Sequence, residues 1–305
     1  MQYAVMAIMK NHAAGVVRAA RPRAFFRRVL AAVCAASALV ATCGRAQQAQ
    51  TITGEATLIN WWYSATFGTG IYKVGPITAT VVRLPFSYRV QSMEGGSLGV
   101  NLLLPVTVAA YHLNLNELDQ FNPRHYVAAA SVLPGVEVEI PATERWRLKP
   151  YAQAGVGSEF ADIPLVAFMH TVGVKSLYRF PGEDYRVSLG NALFLAGYRI
   201  RDGSARQGIG AFQIGLNMET PWSMDLWNGP AHFNTHVITT SYYSRLAFAN
   251  PEPDGLPVYR EYEVGFSFRA GRPVSIMGFG ADTFGLGFRF AQNVRGVNLY
   301  TEFPF

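Results

Sequence analysis

Glu261 and Glu263 stand two residues apart, and so do Glu137 and Glu139. In an extended chain, side chains two apart share a face, so each pair presents its carboxylates together. Arg83, Arg89, Arg269 and Arg289 fall on the corresponding faces of their own segments. Inside a closed wall, such charges have two uses. Opposed across an open lumen, they form a constriction that selects solutes, as charged rings do in pores. Paired with one another, they fill and seal a narrow interior. Barrels of about eight strands are filled and those of sixteen or more carry channels; the sequence leaves both uses open.

Hydrolytic chemistry needs a histidine beside a hydroxyl or an acid. The six histidines are His12, His112, His125, His170, His232 and His236. His112 and His125 flank Leu113–Arg124, near Glu117 and Asp119, while His232 and His236 precede Thr239, Ser241 and Ser244. No His-x-Ser spacing and no dense acidic cluster appears. His232 and His236 have no third ligand at metal-binding spacing. Gly265, Gly285 and Gly287 are thin strand positions, since no helix follows them to complete a phosphate loop. The expectation is therefore no catalytic residue, no metal and no cofactor. An outer-membrane lipid hydrolase is the subordinate alternative.

Composition sets the frame for these residues. The chain has 305 residues, of which 15% are charged, 13% aromatic and 29 glycine. Its charged fraction is below the roughly 25% of a soluble domain, and its aromatic content is wrong for a disordered chain. The formal charge of +6 suggests nucleic acid until its position is considered. Lys10, Arg18, Arg21, Arg23, Arg27, Arg28 and Arg45 all precede residue 47, with no acid among them. They lead into the apolar run Val29–Ala41, too short for the roughly 20 residues of a membrane helix. The run is followed by Gly44-Arg45-Ala46, a small-x-small cleavage pattern, so residues 1–46 read as a secretory signal peptide. Val40-Ala41-Thr42-Cys43 approximates a lipobox, with Thr42 where a smaller residue is wanted. Cleavage after Ala46 leaves 19 of the 26 basic side chains against all 20 acidic ones, a net charge of −1. Nucleic acid is then excluded as a partner. Both cysteines, Cys34 and Cys43, leave with the signal.

Beyond residue 46 the period is two. Tyr262, Val264, Phe266 and Phe268 oppose Glu261, Glu263, Gly265, Ser267 and Arg269. Phe212, Ile214, Leu216 and Met218 form another apolar face, as do Val82, Leu84, Phe86, Tyr88 and Val90. A fourth runs from Leu98 to Val108, and a fifth is Phe284, Leu286, Phe288 and Phe290. Weaker alternation covers 126–140, 146–158, 165–179, 184–199 and 235–249. Gly-, Pro-, Asn- and Asp-rich turn signals separate the segments, as at Phe180–Asp184 and Asn250–Gly255. Soluble sandwiches also alternate, but their strands run about five or six residues. Stretches of about ten, with aromatics near their ends (Trp146, Tyr178, Tyr198, Trp222, Tyr259), match strands tilted across a bilayer. Eleven clear segments begin from residue 78 onward. The even count of a bacterial barrel places a twelfth within Ala56–Val74. The fold class is all-β, a closed antiparallel transmembrane barrel of twelve strands over 47–305. Residues 47–76 hold either the first strand or a short N-terminal helix.

Val297, Leu299, Thr301, Phe303 and Phe305 alternate to the last residue. This terminal aromatic series resembles the assembly signal of bacterial outer-membrane barrels, which implies the barrel-assembly machinery as a partner. The mature chain, through the run Trp146-Arg147-Leu148-Lys149-Pro150-Tyr151-Ala152-Gln153-Ala154-Gly155-Val156-Gly157, resembles a solitary autotransporter-type β-barrel. That resemblance implies twelve strands in a Gram-negative outer membrane, in contact with its lipids. It supplies no catalytic residues. The sequence reading is thus a passive narrow pore or translocator-like barrel, with a plugged structural barrel as the alternative. The segment 113–125 is the longest surface-loop candidate. The segment 221–232, with Trp222, Met224 and Trp227, reads as a long apolar turn on the periplasmic side.

Overall fold

The computed structural model describes residues 68–305, apart from 75–76, 94–96, 112–126, 160–165, 183–184, 202–205, 227–228, 247–257, 277–278, 293 and 302. The signal peptide and lipobox, the segment 113–125, His112, His125 and Trp227 lie outside the described residues. All described residues belong to the compact unit Gly54–Phe305.

Every regular element among them is a strand. In chain order these are β1 Gly70–Val74, β2 Ile77–Gln91, β3 Gly99–Tyr111, β4 Val127–Val132, β5 Gly135–Pro141, β6 Trp146–Glu159 and β7 Val166–Arg179. They are followed by β8 Arg186–Ile200, β9 Arg206–Leu226, β10 Gly229–Leu246, β11 Val258–Ile276, β12 Phe279–Phe290 and β13 Val294–Tyr300. Each pairs antiparallel with its neighbours, and β1 pairs with both β2 and β13, closing the sheet on itself. Closure satisfies every strand edge, a requirement wherever water is absent. The first strand lies inside the range Ala56–Val74 in which the even count placed it.

Thirteen segments occupy twelve positions. β4 and β5 share one place between β3 and β6, with β5 pairing near the start of β3 and β4 near its end. The interruption is Leu133-Pro134, where proline has no N–H to give the ladder. Two backbone bonds hold the break: Leu133 N–H donates to the Pro105 carbonyl (3.1 Å) and Ala154 N–H to the Pro134 carbonyl (3.0 Å). Gly155 makes the close approach possible, since a Cβ there would strike the Val132 carbonyl oxygen. That atom is backbone and cannot move aside. Gly155→Val is expected to cost at least the 1–3 kcal/mol typical of overpacking, read as a lower urea midpoint for the detergent-folded protein.

The two faces of the wall differ as the period of two requires. Along β11, Glu261 and Glu263 are 2% and 3% exposed while Val264 is 46% exposed. Leu84, Leu102, Leu104, Ile214, Leu216, Val237, Phe288 and Leu299 continue this exposed apolar face around the wall. β1 begins, and β13 ends, at the end that carries connections 92–98, 142–145, 180–185, 227–228 and 277–278; we call it the turn end. The loop end carries 75–76, 112–126, 160–165, 201–205, 247–257 and 291–293.

Two expectations are corrected here. The described part of segment 221–232 continues the β9–β10 hairpin, paired as far as Leu226↔Gly229, with Ala231 and His232 also paired to β11. Tyr198 belongs to the interior, packed against buried side chains. Its even-numbered position on β8 is shared with inward-facing Phe194 and Ala196.

Candidate functional site

The interior is built in three parts. In the loop half, apolar inward side chains meet: Tyr72, Leu133, Met169, Phe194, Ile209 and Val258 form one buried cluster, completed by small residues such as Ala109, Ala167 and Ala211. Several of these side chains are fully enclosed.

The second part is polar and lies along the β10–β13 wall. Glu263 and Arg289 face one another across β11 and β12, and the Arg289 Nη2 to Glu263 Oε2 distance is 3.0 Å. Arg289 Nη1 is 3.7 Å from Glu261 Oε2. The Tyr242 hydroxyl donates to that same Glu261 oxygen (3.0 Å), and Asn298 Nδ2 donates to Glu263 Oε2 (3.1 Å). The Arg289 guanidinium also sits 6.0 Å from the Tyr72 ring centroid. His236 Nε2 approaches Glu263 Oε1 at 3.5 Å, and its ring meets Tyr300 edge-on with centroids 4.5 Å apart.

Two further charge groups lie closer to the turn end. Asn101 Nδ2 donates to Glu137 (3.4 Å) and to Glu139 (3.1 Å). Lys175 reaches Glu137 at 3.3 Å and Arg89 reaches Glu139 at 3.8 Å. Arg186 and Arg269 share Glu219 at 2.9 and 2.8 Å. Of the residues singled out in the sequence, Glu261, Glu263 and Arg289 come together, as do Arg89, Glu137 and Glu139. Arg269 goes to a different acid, Glu219. Arg83 lies inward on β2, with Tyr72 and Tyr151 as electrostatic neighbours. The pattern is pairing along the wall, between adjacent or next-but-one strands, in place of opposition across a gap. Sequence reasoning did not single out Glu219, Arg186, Lys175 or Asn298 as site residues, and it weighed the inward-facing His236 only for hydrolytic or metal chemistry. Period two puts each on the inner face, and which strand stands beside which is what brings them together.

The third part corrects the reading of the last residues. Val297 and Leu299 are outward and exposed, but β13 ends at Tyr300. Thr301–Phe305 leaves the wall, and Phe303 and Phe305 enter the lumen. Phe305 is 3% exposed and clusters with Ala192 and Ile238, with Leu177 and Phe303 against it. It lies on two glycines paired across β8 and β9, Gly190↔Gly215. A Cβ on Gly190 would overlap the Phe305 ring, and one on Gly215 would come within 2.6 Å of it. Lys149 Nζ donates to the Phe305 carbonyl at 3.2 Å, and Phe303 stacks at a tilt on Phe305, centroids 4.9 Å apart. The physical reason is fit: the glycine pair leaves a ring-sized recess on the inner face, and Lys149 gives the incoming backbone a donor there.

Among the described residues no group of three His, Asp or Glu side chains is placed to hold a metal. His170 faces outward and exposed, and His232 lies on the β9–β10 extension.

These observations define a class: a closed, antiparallel β-barrel of twelve strand positions with an apolar outer face. The sequence matches no family model and no curated protein. Among solved structures it is similar to the β domain of the Bordetella autotransporter BrkA (TM-score 0.47, 11% identity, 75% of this chain and 92% of that one). It is also similar to the CymD monoaromatic hydrocarbon channel (TM-score 0.37, 12% identity, 75% and 74% of the two chains).

Proposed function

We propose that this chain is an integral outer-membrane β-barrel whose resting interior is closed, a filled scaffold and not an open passive pore. The carrying observation is the interior itself, with Phe305 buried below a cluster of enclosed apolar side chains. Side chains lining an open aqueous channel remain accessible to water. The membrane part of the reading rests on the outward apolar face, since a contiguous exposed apolar surface of this size marks contact with lipid. The two longest connections, 112–126 and 247–257, are both at the loop end, as expected of extracellular loops opposite shorter periplasmic turns. Of the terminal series, Val297 and Leu299 keep the outward position from which the assembly machinery would recognise them.

The reading is not catalytic. His236 has an acid neighbour, but its Nε2 makes no hydrogen bond, and it is buried with Tyr300 and Phe303 against it. The test is planar-bilayer recording of the folded protein, with heat-modifiable migration confirming the fold. No steady conductance is expected. Steady ion flow through the folded protein, altered by Glu261→Ala/Glu263→Ala, would sink the closed reading and restore the narrow pore.

A further inference from the structure

Four adjacent strands, β1, β13, β12 and β11, carry a row of outward side chains near the loop end. Lys73 stands opposite Arg295, Arg295 opposite Phe290, and Phe290 opposite Tyr262; Arg260 lies two residues further along β11. The alternation fixes their direction: Lys73, Arg260 and Arg295 are exposed, while their neighbours Tyr72, Glu261 and Val294 are buried inside. Tyr262 and Phe290 stack outside the wall, centroids 5.7 Å apart and planes at 24°. Beside them opens a cleft of about 360 Å³ lined by Tyr259, Arg260, Tyr262, Phe290 and Gln292.

The charge here is of one sign. In the loop half of these four strands no described outward residue is acidic, and none of the three cations takes part in an ion pair with a described residue, in contrast to the inward Arg289, Arg269 and Arg186. Three cations with no ion pair among the described residues, beside an aromatic and aliphatic face, suit a molecule that carries both anionic groups and hydrocarbon. The cations also fall into two sets. Lys73 and Arg295 are cross-strand neighbours, whereas Arg260 lies two strands away from Arg295, roughly 10 Å at the usual strand spacing.

We propose that this face is a binding site for a lipid with two headgroup phosphates. One phosphate is held by Lys73 and Arg295 and the other by Arg260, with an acyl chain along Tyr262 and Phe290. The proposal rests on the membrane reading above, and its test does not depend on that reading. The full chain, extracted in detergent, is titrated with bisphosphorylated lipid A, its monophosphoryl form and phosphatidylethanolamine, and bound lipid is counted by native mass spectrometry. The bisphosphorylated lipid is expected to bind tightest. Lys73→Gln/Arg260→Gln/Arg295→Gln is expected to weaken it about a hundred-fold, from the typical contribution of each basic residue at an anionic surface. Arg260→Gln alone is expected to abolish the preference for two phosphates over one. Because all three side chains are exposed, heat-modifiable migration should be unchanged, which separates lost binding from lost fold. Equal binding of phosphatidylethanolamine, or undiminished binding by the folded triple variant, would overturn the site. Failure of the protein to fractionate with outer membranes would overturn the location and leave the binding result standing.

Discussion

Arg289→Met is expected to lower the stability of the folded barrel by about 3–5 kcal/mol, the usual cost of stranding buried charge. Arg289 is the shared cation of Glu261 and Glu263, whose side chains are each only 3% exposed. Removing it leaves two carboxylates enclosed, with Tyr242 and Asn298 as hydrogen-bond donors to them and no arginine between them. The measurement is a urea unfolding series in detergent micelles, followed by tryptophan fluorescence. A second variant identifies the cause. Adding Glu261→Gln and Glu263→Gln to Arg289→Met removes the stranded charge while keeping an amide oxygen to accept from Tyr242 and Asn298. Most of the lost stability is expected to return. Persistent loss in the triple variant would mean that the packing of the guanidinium over Tyr72, and not its charge, is what the interior requires.

The second large effect concerns the segment that leaves the wall. Phe305→Ala is expected to cost about 3 kcal/mol, as for other enclosed phenylalanines truncated to alanine. Gly190→Ala should cost about 1–3 kcal/mol by overpacking, because the atoms nearest its new methyl all belong to Phe305. The informative quantity is their coupling. In the Phe305→Ala background the ring is gone and only the Cβ of residue 305, 2.8 Å from the new methyl, remains to be displaced, so Gly190→Ala should cost clearly less than in the parent. Additive losses in the double variant would show that Phe305 does not occupy the recess when the barrel is folded in micelles.

Much of this architecture was legible beforehand, for a definite reason. Tyr262, Val264, Phe266 and Phe268 alternate with Glu261, Glu263 and Gly265 because lipid and interior impose opposite demands on successive residues. That alternation survives in the sequence without any knowledge of pairing. The strand count followed from eleven alternating segments and the even number a bacterial barrel requires, with β4 and β5 reading as one segment because Pro134 breaks the ladder without breaking the alternation. What the sequence withheld depends on register. Nothing in the order of residues sets Arg186 and Arg269 on Glu219, or Lys175 on Glu137, until neighbouring strands are aligned. Phe305 is the sharpest case. It continues a period of two from Val297, so its position suits a lipid-facing strand, and only the cross-strand alignment of Gly190 with Gly215 reveals a recess in which it fits better.

That recess also imposes an order of events. Its floor is shared between β8 and β9, and Ile238 of β10 contributes one side, so it exists only after those three strands have aligned. Once β1 and β13 have joined, Phe303 and Phe305 are housed within the completed wall. These two rings are therefore solvent-accessible early and enclosed late. Any factor that grips them from outside has a limited time in which to act, and sealing of the seam ends it.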